Sequence, residues 1–218
     1  MAMLILGLVL FLGVHSVRIV AADWRTRQVA RLGPLGWKAL YSLLSLAGFV
    51  LLVWGFGQAR QHPVVVWVPP MALRHLNALF TLLAFVLLAA AYVPGNAIKA
   101  RIGHPMLAAV KLWAFGHLLA AGMLHDIVLF GAFLLWAVVD FMVSRRRDRA
   151  LGVTYPRGPA PLTVLTVVIG VAAWAAFAFW LHRLIVGVSP FGCRRIIEGL
   201  PHPSARCATV GFLLWLLL

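Results

Sequence analysis

Two histidines of this sequence lie inside long apolar runs. His15 stands in "LFLGVHSVRI" and His117 stands in "KLWAFGHLLAAG". A buried imidazole must satisfy two ring nitrogens, and a neutral imidazole can bind a metal through one of them. Ionisable side chains inside membrane spans are candidates for function by default. Axial ligation of a haem iron by His15 and His117, on two different helices, is therefore one interpretation of these residues.

The neighbours of the two histidines fit that interpretation. Arg18 follows His15 by three residues and could meet a haem propionate. Trp113 precedes His117 by four residues, so it shares a helix face with that histidine and could pack on a porphyrin. The alternative is that each imidazole bonds to a carbonyl or a serine hydroxyl of another helix, which is common in membrane bundles. Composition alone favours this alternative.

The composition is that of a membrane protein. The 218 residues are 63% hydrophobic and only 11% charged, whereas a soluble domain carries about 25% charged residues. Apolar runs long enough to cross about 30 Å of hydrocarbon predict an all-α, polytopic membrane helical bundle with about six transmembrane helices. The predicted spans are 3–22, 39–57, 76–93, 105–124, 127–143 and 162–181.

The net charge of +14 indicates a topology. Basic residues cluster after the first, third and fifth spans and are sparse after the second and fourth. The positive-inside rule therefore predicts an N-terminus outside the membrane and odd-numbered connections in the cytoplasm. Because the charges alternate with spans instead of forming one face, we expect no nucleic-acid partner. The span limits put His15 and His117 on opposite sides of the midplane, so one shared haem requires tilted helices or shifted span limits.

The fourth and fifth spans are joined by "GMLHD", which is long enough only for a tight hairpin. The two helices are therefore predicted to be antiparallel neighbours. Lys111 and Asp140 lie at similar distances from this turn, and an unpaired charge in hydrocarbon costs at least about 2.5–3.5 kcal/mol. An ion pair between them is predicted. In the alternative, Lys111 extends to the headgroups and Asp140 meets Arg145 or Arg146.

The other histidines are assigned to loops and helix ends. His62 and His125 are predicted in outer connections, His75 and His182 near span ends. The segment 93–105 predicts a turn, a short interfacial piece and a helix that begins at Pro105. His104 is therefore predicted to terminate or cap that helix.

Five segments together resemble the bacterial NnrU family: "LFLGVHSVRI", "WKALYSLLSLAGFVLLVWGFGQAR", "AAYVPGNAIKARIGHPM", "KLWAFGHLLAAG" and "LFGAFLLWAVVDF". The resemblance covers about residues 1–192. It implies a multi-pass protein of the bacterial cytoplasmic (inner) membrane that is associated with denitrification, through nitrite and nitric oxide reduction.

NnrU proteins are in turn similar to the zeta-carotene isomerase of plants and cyanobacteria, which uses haem b to isomerise a polyene. The resemblance implies haem b as cofactor and the ligand roles for His15 and His117, with His104 in the matching His-Pro pair. The isomerase has a cysteine where this sequence has Ala114, so a ligand switch there is not expected. Whether the chain is an enzyme stays open.

Three functions follow as expectations. The first is a haem-binding NnrU-type protein of denitrification that acts by redox chemistry, gas sensing or isomerisation. The second is a haem-dependent cis/trans isomerase of a polyene, and the third is a non-enzymatic accessory protein for nitrogen-oxide reductases. The expected partners are membrane lipid and either a hydrophobic small-molecule substrate or a gaseous ligand; no protein partner is indicated.

The last residues read differently from the rest. Residues 193–218 hold Cys193 and Cys207, without the spacing of a zinc site, and end in an apolar run of about 12 residues that is too short to span. We therefore divide the chain into an NnrU-like bundle, 1–192, and an atypical C-terminal tail, 193–218, which is interfacial or foreign to the family.

Overall fold

The computed structural model describes residues 1–188 and Pro190. Its regular structure is helical, apart from one isolated antiparallel bridge between Val65 and Met123. This confirms the predicted all-α bundle. The helices are α1 (Ala2–Val20), α2 (Ala22–Ala59), α3 (Met71–Tyr92), α4 (Ala97–Ile102), α5 (Pro105–Ala120), α6 (Leu124–Ala150), α7 (Ala160–Ala176), a π-helical turn (Phe177–Leu181) and α8 (His182–Val186).

Five helical stretches are long and apolar enough to cross a membrane: Ala2–Val20, Ala22–Ala59, Met71–Tyr92, Leu124–Ala150 and Ala160–Val186. They confirm a multi-pass membrane protein. The fourth predicted span corresponds to α5, which has 16 residues and is therefore about 24 Å long. Its predicted end at residue 124 is wrong, because α5 ends at Ala120 and α6 begins at Leu124.

The connection between the first two predicted spans is helical. Only Ala21 separates α1 from α2, and α2 runs through the basic segment before the predicted second span. Its path changes at Gly33, whose φ of 71° and ψ of 163° are non-helical. Glycine adopts this conformation readily, and Pro34 next to it has no N–H to continue the helical hydrogen bonds. α2 is therefore two helical pieces joined at a kink.

The long helices pack one against the next in the order α2, α1, α6, α5, α3, α7. α1 packs against α2 and α6, α6 packs against α5, α5 against α3, and α3 against α7. The contact between α5 and α6 confirms the predicted antiparallel hairpin.

The closest helix contact joins α1 to α2. A Cβ on Gly7 would overlap the backbone of Leu52, and one on Gly55 would overlap the backbone at Leu4. Small residues that let backbones approach are typical of membrane helix interfaces. This contact continues into a buried core that α5 and α6 complete, formed by Leu4, Leu8, Leu52, Ala114, Leu129, Phe130 and Phe133.

The predicted ion pair between Lys111 and Asp140 is wrong. Lys111 Nζ lies 3.5 Å from the centroid of the Phe141 ring, and Asp140 accepts a hydrogen bond of 3.2 Å from Ser144. The predicted depth was adequate, but adjacent residues of a helix point about 100° apart, and the face of α6 toward Lys111 carries the aromatic ring. The ammonium is stabilised by a cation–π contact instead.

We expect Phe141→Leu to lower the thermal stability of the detergent-solubilised protein, because the cation–π contact contributes roughly 0.5–2 kcal/mol. Asp140→Leu should not recover the stability that Lys111→Met loses, and the effects of these two substitutions should simply add. Thermal unfolding of Lys111→Met, Asp140→Leu and the double variant measures this. Recovery of stability in the double variant would show that Lys111 and Asp140 form an ion pair.

Candidate functional site

His15 lies on α1 among residues of three helices. Its Nδ1 is 2.7 Å from the carbonyl oxygen of Phe11, one turn earlier. Its ring centroid lies 4.3 Å from that of Phe11, 5.4 Å from Tyr41 of α2 and 6.1 Å from Trp136 of α6. The imidazole is therefore fixed by a hydrogen bond to its own helix and surrounded by aromatic rings. Arg18, one turn further along α1, is exposed.

His117 lies on α5 against α6. Its Nδ1 is 2.8 Å from the carbonyl oxygen of Trp113. The imidazole stacks on Phe130, with centroids 4.6 Å apart and ring planes at 25°. The Trp113 ring is 5.4 Å away, which confirms that Trp113 shares the face of His117. Its predicted contact with a porphyrin stays a prediction.

Both histidines have the same hydrogen-bond arrangement. In each, Nδ1 bonds to the carbonyl four residues earlier in its own helix. The neutral imidazole then carries its proton on Nδ1 and keeps the Nε2 lone pair. Within residues 1–188, Nε2 of neither histidine forms a hydrogen bond. Metal-binding histidines commonly present one nitrogen in this way, and the predicted bond to another helix does not form at Nδ1.

The two imidazoles lie at different levels of the bundle. His15 contacts Trp136, whereas His117 contacts Phe130. Positions 130 and 136 of one helix are separated by about 9 Å along its axis. The two imidazoles therefore lie at different depths, in agreement with the span limits of the sequence.

Aromatic rings fill the space between the two levels. Phe11 lies 6.0 Å from Phe133, and Phe133 lies 5.7 Å from Trp113. α1 and α5 each pack on α6 and have no comparable packing on each other within the described residues. Each imidazole alone therefore has the chemistry of an iron ligand, but the pair does not fit around one iron unless these rings move.

Several residues of this region were missed by sequence reasoning. The enclosure of the histidines depends on Tyr41 of α2 and on Phe130, Phe133 and Trp136 of α6. The α6 residues could have been found, because their spacing of three places aromatic side chains along one side of a helix. No comparable pattern marks Tyr41.

His104 does not cap α5 with its side chain. It occupies the position before Pro105 without a side-chain capping bond. Its Nε2 is 2.7 Å from Oδ2 of Asp148, and the Tyr155 hydroxyl donates to the same oxygen at 2.8 Å. The cluster ties the start of α5 to the end of α6 and the loop that follows. Burial, together with the bond to Asp148, raises the pKa of Tyr155.

Tyr155→Phe should lower thermal stability at neutral pH, because it removes a hydrogen bond to a carboxylate. A pKa raised by folding means that this contribution is complete below the unfolded value of about 10 and is lost as pH rises through the folded value. The difference in Tm between wild type and Tyr155→Phe should therefore be constant from pH 8 to about pH 9 and shrink as the pH rises above about 10. A constant difference would mean that the hydroxyl does not titrate with folding.

A family model described as NnrU protein matches residues 3–190 of the chain. The chain belongs to the NnrU family. The match includes His15, His104 and His117 and covers every helix of the structure. No curated protein sequence and no solved structure matches this NnrU protein at a significant level. The predicted tail, with Cys193 and Cys207, lies outside the described residues.

Proposed function

We propose that this NnrU protein binds haem b within its transmembrane bundle and acts in denitrification, in the cytoplasmic membrane of a bacterium with its N-terminus outside. The observation that carries the proposal is the arrangement of His117. Its ring lies against Phe130 and Trp113, its Nδ1 donates to a carbonyl of its own helix, and its Nε2 forms no hydrogen bond within the described residues. Such an imidazole is oriented for ligation before any metal arrives.

His117 is the ligand that the arrangement supports best. His15 would be the second ligand, because its imidazole has the same hydrogen-bond pattern. Ligation of one iron by both histidines would require Phe11, Phe133 and Trp113 to move apart. With His117 as the single protein ligand, the haem would keep the capacity to bind a small molecule. Arg18, exposed in the last turn of α1, is the proposed partner of a propionate.

Haem would supply redox chemistry or the binding of a diatomic gas. The protein would contribute apolar surroundings, the orientation of the ligand and exclusion of water. The polyene isomerase is the alternative. Ala114, where the isomerase has a cysteine, is fully buried in the core, and a methyl group cannot exchange with an iron ligand. This disfavours a ligand switch at position 114.

We expect wild-type protein, expressed with ample haem and purified in detergent, to show a Soret band and about one haem b per chain. The visible spectrum and a pyridine haemochromogen assay measure both. Apoprotein titrated with haemin should give the same band with saturation near one equivalent. If the protein purifies colourless and haemin binds without saturation, the accessory-protein function replaces this proposal.

A further inference from the structure

α1 has α2 on one side and α6 on the other. The two outer helices are joined at one end, where the rings of Phe56 and His125 lie 5.2 Å apart. Elsewhere α2 and α6 have no extensive packing on each other within the described residues; each packs on α1. α1 therefore lies between α2 and α6 over most of their length. We call this region the α1 groove and define it by His15, Tyr41, Ser45 and Trp136.

These four side chains lie at one level. α1 and α2 run antiparallel, with Gly48 opposite Phe11 and Gly55 opposite Leu4. The same register places Ser45 of α2 opposite residues 14 and 15 of α1. On the other side, the Trp136 ring of α6 contacts the His15 ring directly. Ser45 and Trp136 thus flank His15 from the two walls.

Both flanking side chains have a buried polar atom without a hydrogen bond. These atoms are Ser45 Oγ and Trp136 Nε1. Tyr41, one turn from Ser45, is close enough to interact with it but does not meet hydrogen-bond geometry with its Oγ. Buried polar groups are nearly always bonded, so each exception needs an explanation. In hydrocarbon no bulk water can take the place of the missing partner.

The missing partner is a hydrogen-bond acceptor. The indole nitrogen of Trp136 can only donate, and the Ser45 hydroxyl has a proton to donate. The acidic side chain of Asp140 is one turn from Trp136 on α6, which disfavours a carboxylate in the groove. The surrounding rings of Phe11 and Tyr41 offer flat surfaces beside His15. A neutral carbonyl on a planar ring is a hydrogen-bond acceptor, carries no negative charge and can lie flat against aromatic rings.

We propose that the α1 groove binds an apolar quinone-type molecule from the bilayer, with Ser45 and Trp136 donating hydrogen bonds to its carbonyl oxygen. The site goes beyond haem binding and does not require it. The ligand enters laterally from the bilayer and its tail stays in the membrane. Because both donor atoms are buried, side chains of the groove move aside to admit its ring. His15 lies beside the bound ring and is not one of the two donors.

The test uses full-length protein in nanodiscs of neutral lipid, with decylubiquinone as the probe and decanoic acid as the carboxylate comparison. Trp136→Phe keeps the ring and removes the N–H, and Ser45→Ala removes the hydroxyl. Each should weaken decylubiquinone binding about fivefold, the loss expected for one hydrogen bond. Trp54→Phe and Ser42→Ala are matched controls, because both residues are exposed on α2 and should leave the affinity unchanged.

Stability in the absence of probe separates this role from a structural one. Removing an unsatisfied donor should leave Tm unchanged or raise it, whereas a structural hydrogen bond would be lost with a fall in Tm. The proposal is overturned if decylubiquinone shows no saturable binding, if decanoic acid binds equally well, or if the control variants weaken binding as much. Haem content is measured on the same samples, so a protein without haem that still binds decylubiquinone rejects the haem proposal alone.

Discussion

Haem binding is expected to be lost from the His117→Ala variant, with a fall of at least about tenfold in bound haem per chain. The imidazole is the ligand whose Nε2 is presented by a bond from Nδ1 to its own helix, and alanine supplies nothing in its place. The Soret absorbance relative to protein absorbance measures the effect. Added imidazole should restore part of the spectrum, because it replaces the ligand without the covalent link.

His62→Ala is the control, since His62 is exposed in the connection before α3, and its spectrum should equal that of wild type. His15→Ala reports the coordination number. A change from a low-spin to a high-spin spectrum would mean that the rings between the two levels move apart and both histidines ligate. An unchanged spectrum assigns His117 alone. If His117→Ala keeps the wild-type Soret band, the haem ligand lies elsewhere.

The second large effect is expected at the contact between α1 and α2. Gly7→Leu should lower the free energy of unfolding of the detergent-solubilised protein by about 1–3 kcal/mol, the usual cost of overpacking. The added side chain would overlap the backbone of Leu52, which cannot yield as a flexible side chain would. Thermal unfolding and the elution profile in size-exclusion chromatography measure the loss.

Gly13→Leu is the matched control, because it is the same substitution on the same helix. Nothing lies within 4 Å of a Cβ built at Gly13, so this variant should unfold close to the wild-type temperature. Equal stability of the two variants would show that α1 and α2 separate readily and that their close contact contributes little.

Hydropathy predicted which segments are helices but not where α2 begins or what α5 contacts. The span 39–57 lies within α2, but α2 already starts at Ala22. A glycine followed by proline usually ends a helix, whereas Gly33 and Pro34 only kink this one, so the chain is helical on both sides of them. Lys111 was placed at the right depth, but the choice between Asp140 and Phe141 depends on helix rotation, which hydropathy does not report.

Some features of the candidate site were also predictable from the sequence, and others were not. His15 and His117 are notable from residue type alone, and Trp113 follows from its spacing of four. Their relative level depends on how α6 sits between α1 and α5, since Trp136 and Phe130 mark the two depths. That arrangement is a feature of the tertiary structure, which residue type and spacing do not reveal. Ser45 escaped notice because a single serine in an apolar helix is ordinary until its burial and missing partner are known.

The length of α5 has a consequence for the surrounding lipid. At about 24 Å this helix is shorter than the roughly 30 Å hydrocarbon layer of a typical bilayer, which is hydrophobic mismatch. Lipid next to a short helix thins, at a cost of a fraction of a kcal/mol for each ångström. Thinning draws headgroups and water toward both ends of the helix that carries His117. The acyl-chain length of the host membrane therefore acts on this helix before the others.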